Sequence, residues 1–181
     1  MPPSAVKTLR DLLYWQYAKI ISESAGFGKS NYGFIMNRFK KLQSGEIEWS
    51  SSIREWIRER ENPNQCIYCG AERRLTVDHM IPLSRGGPDH PDNAVWVCSH
   101  CNSSKGDKRL YEFYGLKNRN KIPRIAEGKY LKLIYDELDK RGLLKTSRNN
   151  ISDLCDQCDL GKKCPVREDL TVYCLEGIFT G

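Results

Sequence analysis

The chain has 181 residues, with 29 Lys and Arg against 23 Asp and Glu, a formal net charge of +6 and eight cysteines. That length holds one ordinary domain with a small appendage, and no apolar run approaches the roughly 18 residues of a membrane-spanning helix. The opening stretch, MPPSAVKTLRDLLYWQYAKII, lacks a basic segment followed by an apolar one, so no secretory signal is expected, and cysteines grouped as Cys-x-x-Cys read as metal ligands in a reducing cytoplasm and not as disulfides.

Thr8 and Asp11 have the form of a capping box, and Leu9, Leu12, Leu13, Tyr17, Ile20 and Ile21 recur at helical spacing, predicting an amphipathic helix over residues 8–25 that stops at Gly26. Gly28-Lys29-Ser30 has the tail of a phosphate-binding loop. Glu23 stands where the first glycine belongs, however, and a helix precedes it where a strand should, so a turn is expected. A second helix starts at Asn31, carries Phe34, Ile35, Phe39 and Leu42 on one face, and stops at Gly45. A third starts in Ser50–Ser52, buries Ile53, Trp56 and Ile57, and ends before Pro63. Trp15, Trp49 and Trp56 are assigned to the core and not to base stacking. Residues 1–62 thus form a helical region, marginal alone and expected to pack on the metal centre.

Residues 63–115 change character. Cys66/Cys69 and Cys98/Cys101 are paired thiols whose spacing suits one tetrahedral structural zinc. Between them, Leu75-Thr76-Val77 predicts a short strand leading into Asp78-His79, the turn-rich 84–89 predicts a loop, and Ala94–Val97 predicts a second strand. A helix is expected to follow Cys98–Cys101 and to end near Gly115. Strand, loop, strand and helix make a ββα unit too small for an apolar core of its own, so zinc must supply stability.

Residues 116–150 hold a long helix from Pro123, with Ile125, Tyr130, Leu131, Ile134, Tyr135 and Leu138 on its apolar side and Gly142 as its stop; 145–152 read as a linker. This segment carries 10 basic and 4 acidic residues, whereas 151–181 carries 3 and 6. The net +6 itself overstates the pull on an anionic partner, because two four-thiolate zinc sites would lower it to about +2. The basic excess fits a phosphate-tracking face or, more plainly, a solvated helix face. The last segment, 151–181, contains Cys155, Cys158, Cys164 and Cys174, a second four-cysteine set for zinc or for an iron–sulfur cluster. The predicted class is α+β and mostly helical, with a ββα-metal core, a helical N-terminal region and a C-terminal metal appendage.

Within the core, His79 is the residue type that accepts a proton from water near neutral pH. Asp78, adjacent in the strand, must point to the other face, which suits a carboxylate ligand for a hard cation such as Mg2+. Asn102 offers an amide oxygen to the same ion, or alternatively an N-cap. Asn93 would hold the loop or orient the imidazole. Lys105, Lys108 and Arg109, expected on the first turns of the same helix, and Arg85 in the glycine-rich loop are candidate phosphate contacts.

The run Cys66-x2-Cys69, Asp78-His79-x2-Pro82, Gly86-Gly87, Asn93, Cys98-x2-Cys101-Asn102-x2-Lys105 resembles the HNH endonuclease family over about a quarter of the chain. The resemblance implies a ββα-metal fold, a divalent ion at Asp78 and Asn102, His79 as general base, Asn93 orienting the loop and zinc on the four cysteines. It departs from the name in having Asn102 at the last His position, which favours Mg2+ or Mn2+ over softer metals. The implied reaction is hydrolysis of double-stranded DNA to 5′-phosphate and 3′-hydroxyl ends, of a restriction or mobile-element kind, with a homodimer where both strands are cut. Two other readings stand beside it. One is a zinc-stabilised DNA-binding module without cleavage. The other is an RNA-directed nuclease or toxin.

Overall fold

A computed structural model describes residues 1–49, 64–166 and 169–180. The Thr8 hydroxyl accepts from Asp11 N and the Asp11 carboxylate accepts from Thr8 N, both at 3.1 Å, so the capping box forms and launches α1 (Leu9–Ser24). Asn31 accepts from Phe34 N and starts α2 (Tyr32–Gln43), which buries Ile35, Phe39 and Leu42. Trp15 meets Phe39 edge-on with ring centres 5.7 Å apart, and the half-buried Trp49 stacks on Tyr135 at 5.0 Å, so both belong to the core. The helix expected at Ile53, Trp56 and Ile57 lies outside the described residues.

The two strands, β1 (Leu75–His79) and β2 (Ala94–Cys98), pair antiparallel with His79 opposite Ala94 and Asp78 opposite Val95. The helix that follows is shorter than expected. α3 (Ser99–Lys105) ends at Gly106, whose φ of +53° and ψ of −131° leave helical space, and a separate α4 (Leu110–Asn118) begins after a turn and bends at Gly115. Lys108 and Arg109 are therefore not on the helix that carries Asn102. Long helix α5 (Arg124–Lys140) packs on α1, and α6 (Ile151–Gln157) leads into the C-terminal turns.

Two expectations about the framework change. Residues 145–152 are not a loose linker: Thr8 and Ser147 form a β-bridge, Leu9 N donates to Thr146 O (3.2 Å) and Arg148 N donates to Lys7 O (2.7 Å). Backbone groups that would otherwise be orphaned at the start of α1 are satisfied there. The N-terminal helices, expected against the metal centre, pack chiefly on each other, on α5 and on the C-terminal turn 172–175. The turn at Gly28–Ser30 explains part of this. Lys29 is buried and donates to Ile122 O (2.8 Å) and Glu127 (2.6 Å), tying that turn to α5. One apolar core runs from Val6 to Phe179, shared by all four sequence segments. Among the described residues, no helix is long and apolar enough to cross a membrane.

Candidate active site

Side chains alternate along β1, so Asp78 shares the face of Thr76, Val95 and Val97, while His79 shares the face of Val77 and Trp96. Val95 and Val97 are buried and Val77 and Trp96 are about half exposed, so the two faces differ in solvent access. The strand ending thus delivers one ionisable group inward and one outward.

Inward, Asp78 meets α3. Lys105 is fully buried, with its ammonium 2.9 Å from Asp78 Oδ2 and donating to the His79 carbonyl at 2.8 Å. The ammonium lies off the hydrogen-bond direction of Oδ2, so that buried oxygen has a charge partner but no hydrogen bond. Asn102 lies one helical turn before Lys105, on the same face of α3. The Asp78 carboxylate and the Asn102 amide are both hard oxygen donors, the chemistry that a divalent cation of the Mg2+ type takes. Asn102 is not an N-cap: that role falls to Cys98, whose sulfur accepts from Cys101 N at 3.4 Å.

Outward, the His79 side chain keeps 29% of its surface in solvent, and its Nε2 lies 3.8 Å from Oδ1 of the exposed Asp89. The loop between the strands is shaped by Asn93, which is wholly buried. Its Oδ1 accepts from Ile81 N (2.8 Å), and its Nδ2 donates to Ile81 O (2.8 Å) and Pro88 O (2.9 Å). All of these side-chain hydrogen bonds go to the loop backbone and none to the imidazole. Gly87 passes so close to the same backbone that a Cβ would lie 2.1 Å from Ile81 O.

The sulfurs of Cys66, Cys69, Cys98 and Cys101 all lie within 4.8 Å of one another, and those of Cys69 and Cys98 are 3.6 Å apart. Tetrahedral zinc with Zn–S bonds of about 2.3 Å separates its sulfurs by about 3.8 Å, so the set fits zinc. The Cys101 backbone N–H pulls the Cys98 thiol down to about 7, whereas burial pushes the Cys101 thiol up. A cation is what lets all four ionise together.

Residues 66–108 match the model of the HNH endonuclease family. The chain carries an HNH segment. It begins at Cys66 and takes in β1, β2 and α3 with Asp78, His79, Asn93 and Asn102. No curated protein and no solved structure matches the chain.

The basic residues expected at DNA phosphates around the HNH segment are mostly engaged inside the protein. Arg109 is fully buried, donating to Asp159 (2.9 Å), Glu112 (3.1 Å) and the Glu176 carbonyl (3.1 Å). Arg85 bridges Asp107 (3.1 Å) and Asp159 (2.7 Å), and Lys105 is the buried tie described above. Lys108 donates to Ser104 O at 2.9 Å on the surface. The helix break at Gly106 is the reason: it turns the chain so that Arg109 faces the C-terminal segment. Two residues near His79 went unremarked in the sequence. Asp89 is one of many acidic loop residues, and only the fold of the loop brings it to Nε2. Trp96 is 45% exposed on the face of His79, a fact that strand register reveals. The second cysteine set does not draw together as the first does; among the described residues no three of its sulfurs lie within 4.8 Å.

Proposed function

We propose that the HNH segment is the centre of a divalent-metal-dependent DNA endonuclease. The observation that carries this reading is the division at the end of β1: Asp78 turned inward with an oxygen lacking hydrogen bonds, and His79 turned outward and accessible. Asp78 and Asn102 would hold Mg2+ or Mn2+. When bound, such an ion stabilises charge on a phosphate oxygen and on the departing 3′-oxygen.

The chain's own residues do the rest. His79 takes the proton of the attacking water on its solvent-accessible imidazole, with the Asp89 carboxylate 3.8 Å from Nε2. Lys105 anchors the His79 carbonyl, and Asn93 and Gly87 hold the loop that presents Asp89. Cys66, Cys69, Cys98 and Cys101 would hold a structural zinc that fastens the hairpin to α3. The products are a 5′-phosphate and a 3′-hydroxyl. One such site cuts one strand, so cleavage of both requires two copies or two events.

A second reading, a zinc-stabilised DNA-binding module without cleavage, is favoured by a different observation: the Lys105 ammonium already neutralises Asp78. Nicking of supercoiled plasmid with Mg2+, beside EDTA, separates the two. The parent is expected to nick only with the metal, and His79→Ala is expected to lose at least about 10²-fold in rate with its zinc content unchanged. Equal rates for parent and variant would leave the binding module.

A further inference from the structure

We propose that Cys155, Cys158, Cys164 and Cys174 form a second thiolate metal centre, which fastens the C-terminal segment across the helix that follows the HNH segment. All four line one small cavity of about 20 Å³, otherwise walled mainly by Leu154 and Tyr173. That volume holds one water-sized body. The cysteines arrive from three separate places: α6 and its cap, the turn ending at Cys164, and the 3₁₀ turn at Val172–Leu175. Four cysteines reaching one small, apolar, partly open cavity from separate turns have no packing reason to do so, whereas a metal gives each the same purpose.

The surroundings are those that thiolate ligands need. Thr171 N–H points at Cys174 Sγ from 3.4 Å, and Thr171 Oγ1 lies between Cys164 (3.7 Å) and Cys174 (3.9 Å). Such donors orient and stabilise sulfur ligands. Gly177 runs so close to Cys158 that a Cβ would lie 2.7 Å from its sulfur, so the backbone leaves that sulfur its room only as glycine. The shared chemistry is capture of a soft metal by four thiolates. A zinc ion and an iron–sulfur cluster are its two forms. The cavity volume is that of a single ion.

What the centre would fasten is visible in the same segment. Glu176, fully buried, accepts from Tyr111 N (2.6 Å) and Glu112 N (2.9 Å) at the start of α4, and from the Tyr130 hydroxyl (2.7 Å) on α5. Asp159, next to Cys158, holds Arg109 from the other side. A metal between α6 and the last turn therefore locks the frame behind α3. The inference does not depend on the endonuclease reading, because its readout is metal content.

The test is zinc, iron and acid-labile sulfide per chain, with the visible spectrum, on the full chain purified without oxygen. Two zinc per chain, or one zinc with iron, sulfide and a broad band near ~400 nm, is the expected result, and the pair tells zinc from cluster. Cys174→Ser and Gly177→Ala should each lose the second metal, keep the knuckle zinc and melt at a lower temperature. One zinc and no iron in the parent overturns the proposal, as does a metal content unchanged in Cys174→Ser. Should the variants fail to fold, the parent's metal count alone decides.

Discussion

Asn93 and Gly87 show how much of the site depends on single side chains that touch no substrate. Asn93 satisfies both backbone groups of Ile81 and the carbonyl of Pro88, so Asn93→Ala leaves two buried polar groups and one part-buried carbonyl unpaired. A loss of about 2–5 kcal/mol in urea denaturation is expected, since each orphaned group costs on the order of 1–3 kcal/mol and part is recovered by relaxation. Lys105 is a different case, a buried cation whose partner is the proposed metal ligand Asp78. Lys105→Met strands the Asp78 charge and should lower the thermal midpoint. Added Mg2+ should recover more of that loss in the variant than it stabilises the parent, because the ion then meets a carboxylate with no ammonium beside it. Equal Mg2+ responses would mean that Asp78 does not bind the ion.

At the scale of elements, the HNH segment is a hairpin and a two-turn helix, with few buried apolar side chains beyond Tyr68, Met80, Ile81, Val95 and Val97. Such a unit depends on its metal. Structural zinc contributes on the order of 10 kcal/mol in isolated fingers, so Cys98→Ser, which removes a thiolate ligand while its hydroxyl can still cap α3, should unfold the hairpin. Loss of zinc with loss of hydrogen-exchange protection in β1 and β2 is the expected measurement. Protection that survives would mean that the surrounding helices alone hold the hairpin. The break at Gly106 belongs to this scale too. It ends the helix that carries Asn102 and hands the chain to α4, whose first turn is built around Glu176 and not around DNA.

Across the whole molecule, buried charges link the ends of the chain: Lys29 to Glu127 on α5, Tyr111 to both Glu127 and Glu176, and Arg109 to Asp159. Burial raises the Glu176 carboxyl to about 7, against its donors Tyr130, Tyr111 N and Glu112 N and the nearby charge of Arg109. A carboxyl raised in the folded state keeps a proton that the unfolded chain releases near pH of about 4.3. Its contribution is thus complete below that value and is lost as pH rises toward 7. The parent's thermal midpoint should therefore fall from pH 5 to 8 relative to Glu176→Gln, which has no such proton. Parallel curves would mean that the three donors keep Glu176 ionised throughout.

The helix at 9–24 with its cap, the paired strands flanking Asp78-His79 and the gathering of Cys66, Cys69, Cys98 and Cys101 were all legible in the residues. Each depends on short-range rules: capping geometry, strand alternation, and a metal that accepts ligands at fixed spacings. The fates of Arg85, Lys105 and Arg109 were not legible, nor was the docking of 145–152 on the start of α1. A basic side chain looks the same in sequence whether its carboxylate is a distant residue or its phosphate is a ligand. Only the packed chain brought Asp78 to Lys105, Asp159 to Arg85 and Arg109, and Asp89 to His79, because long-range partners are chosen by how elements pack and not by local spacing.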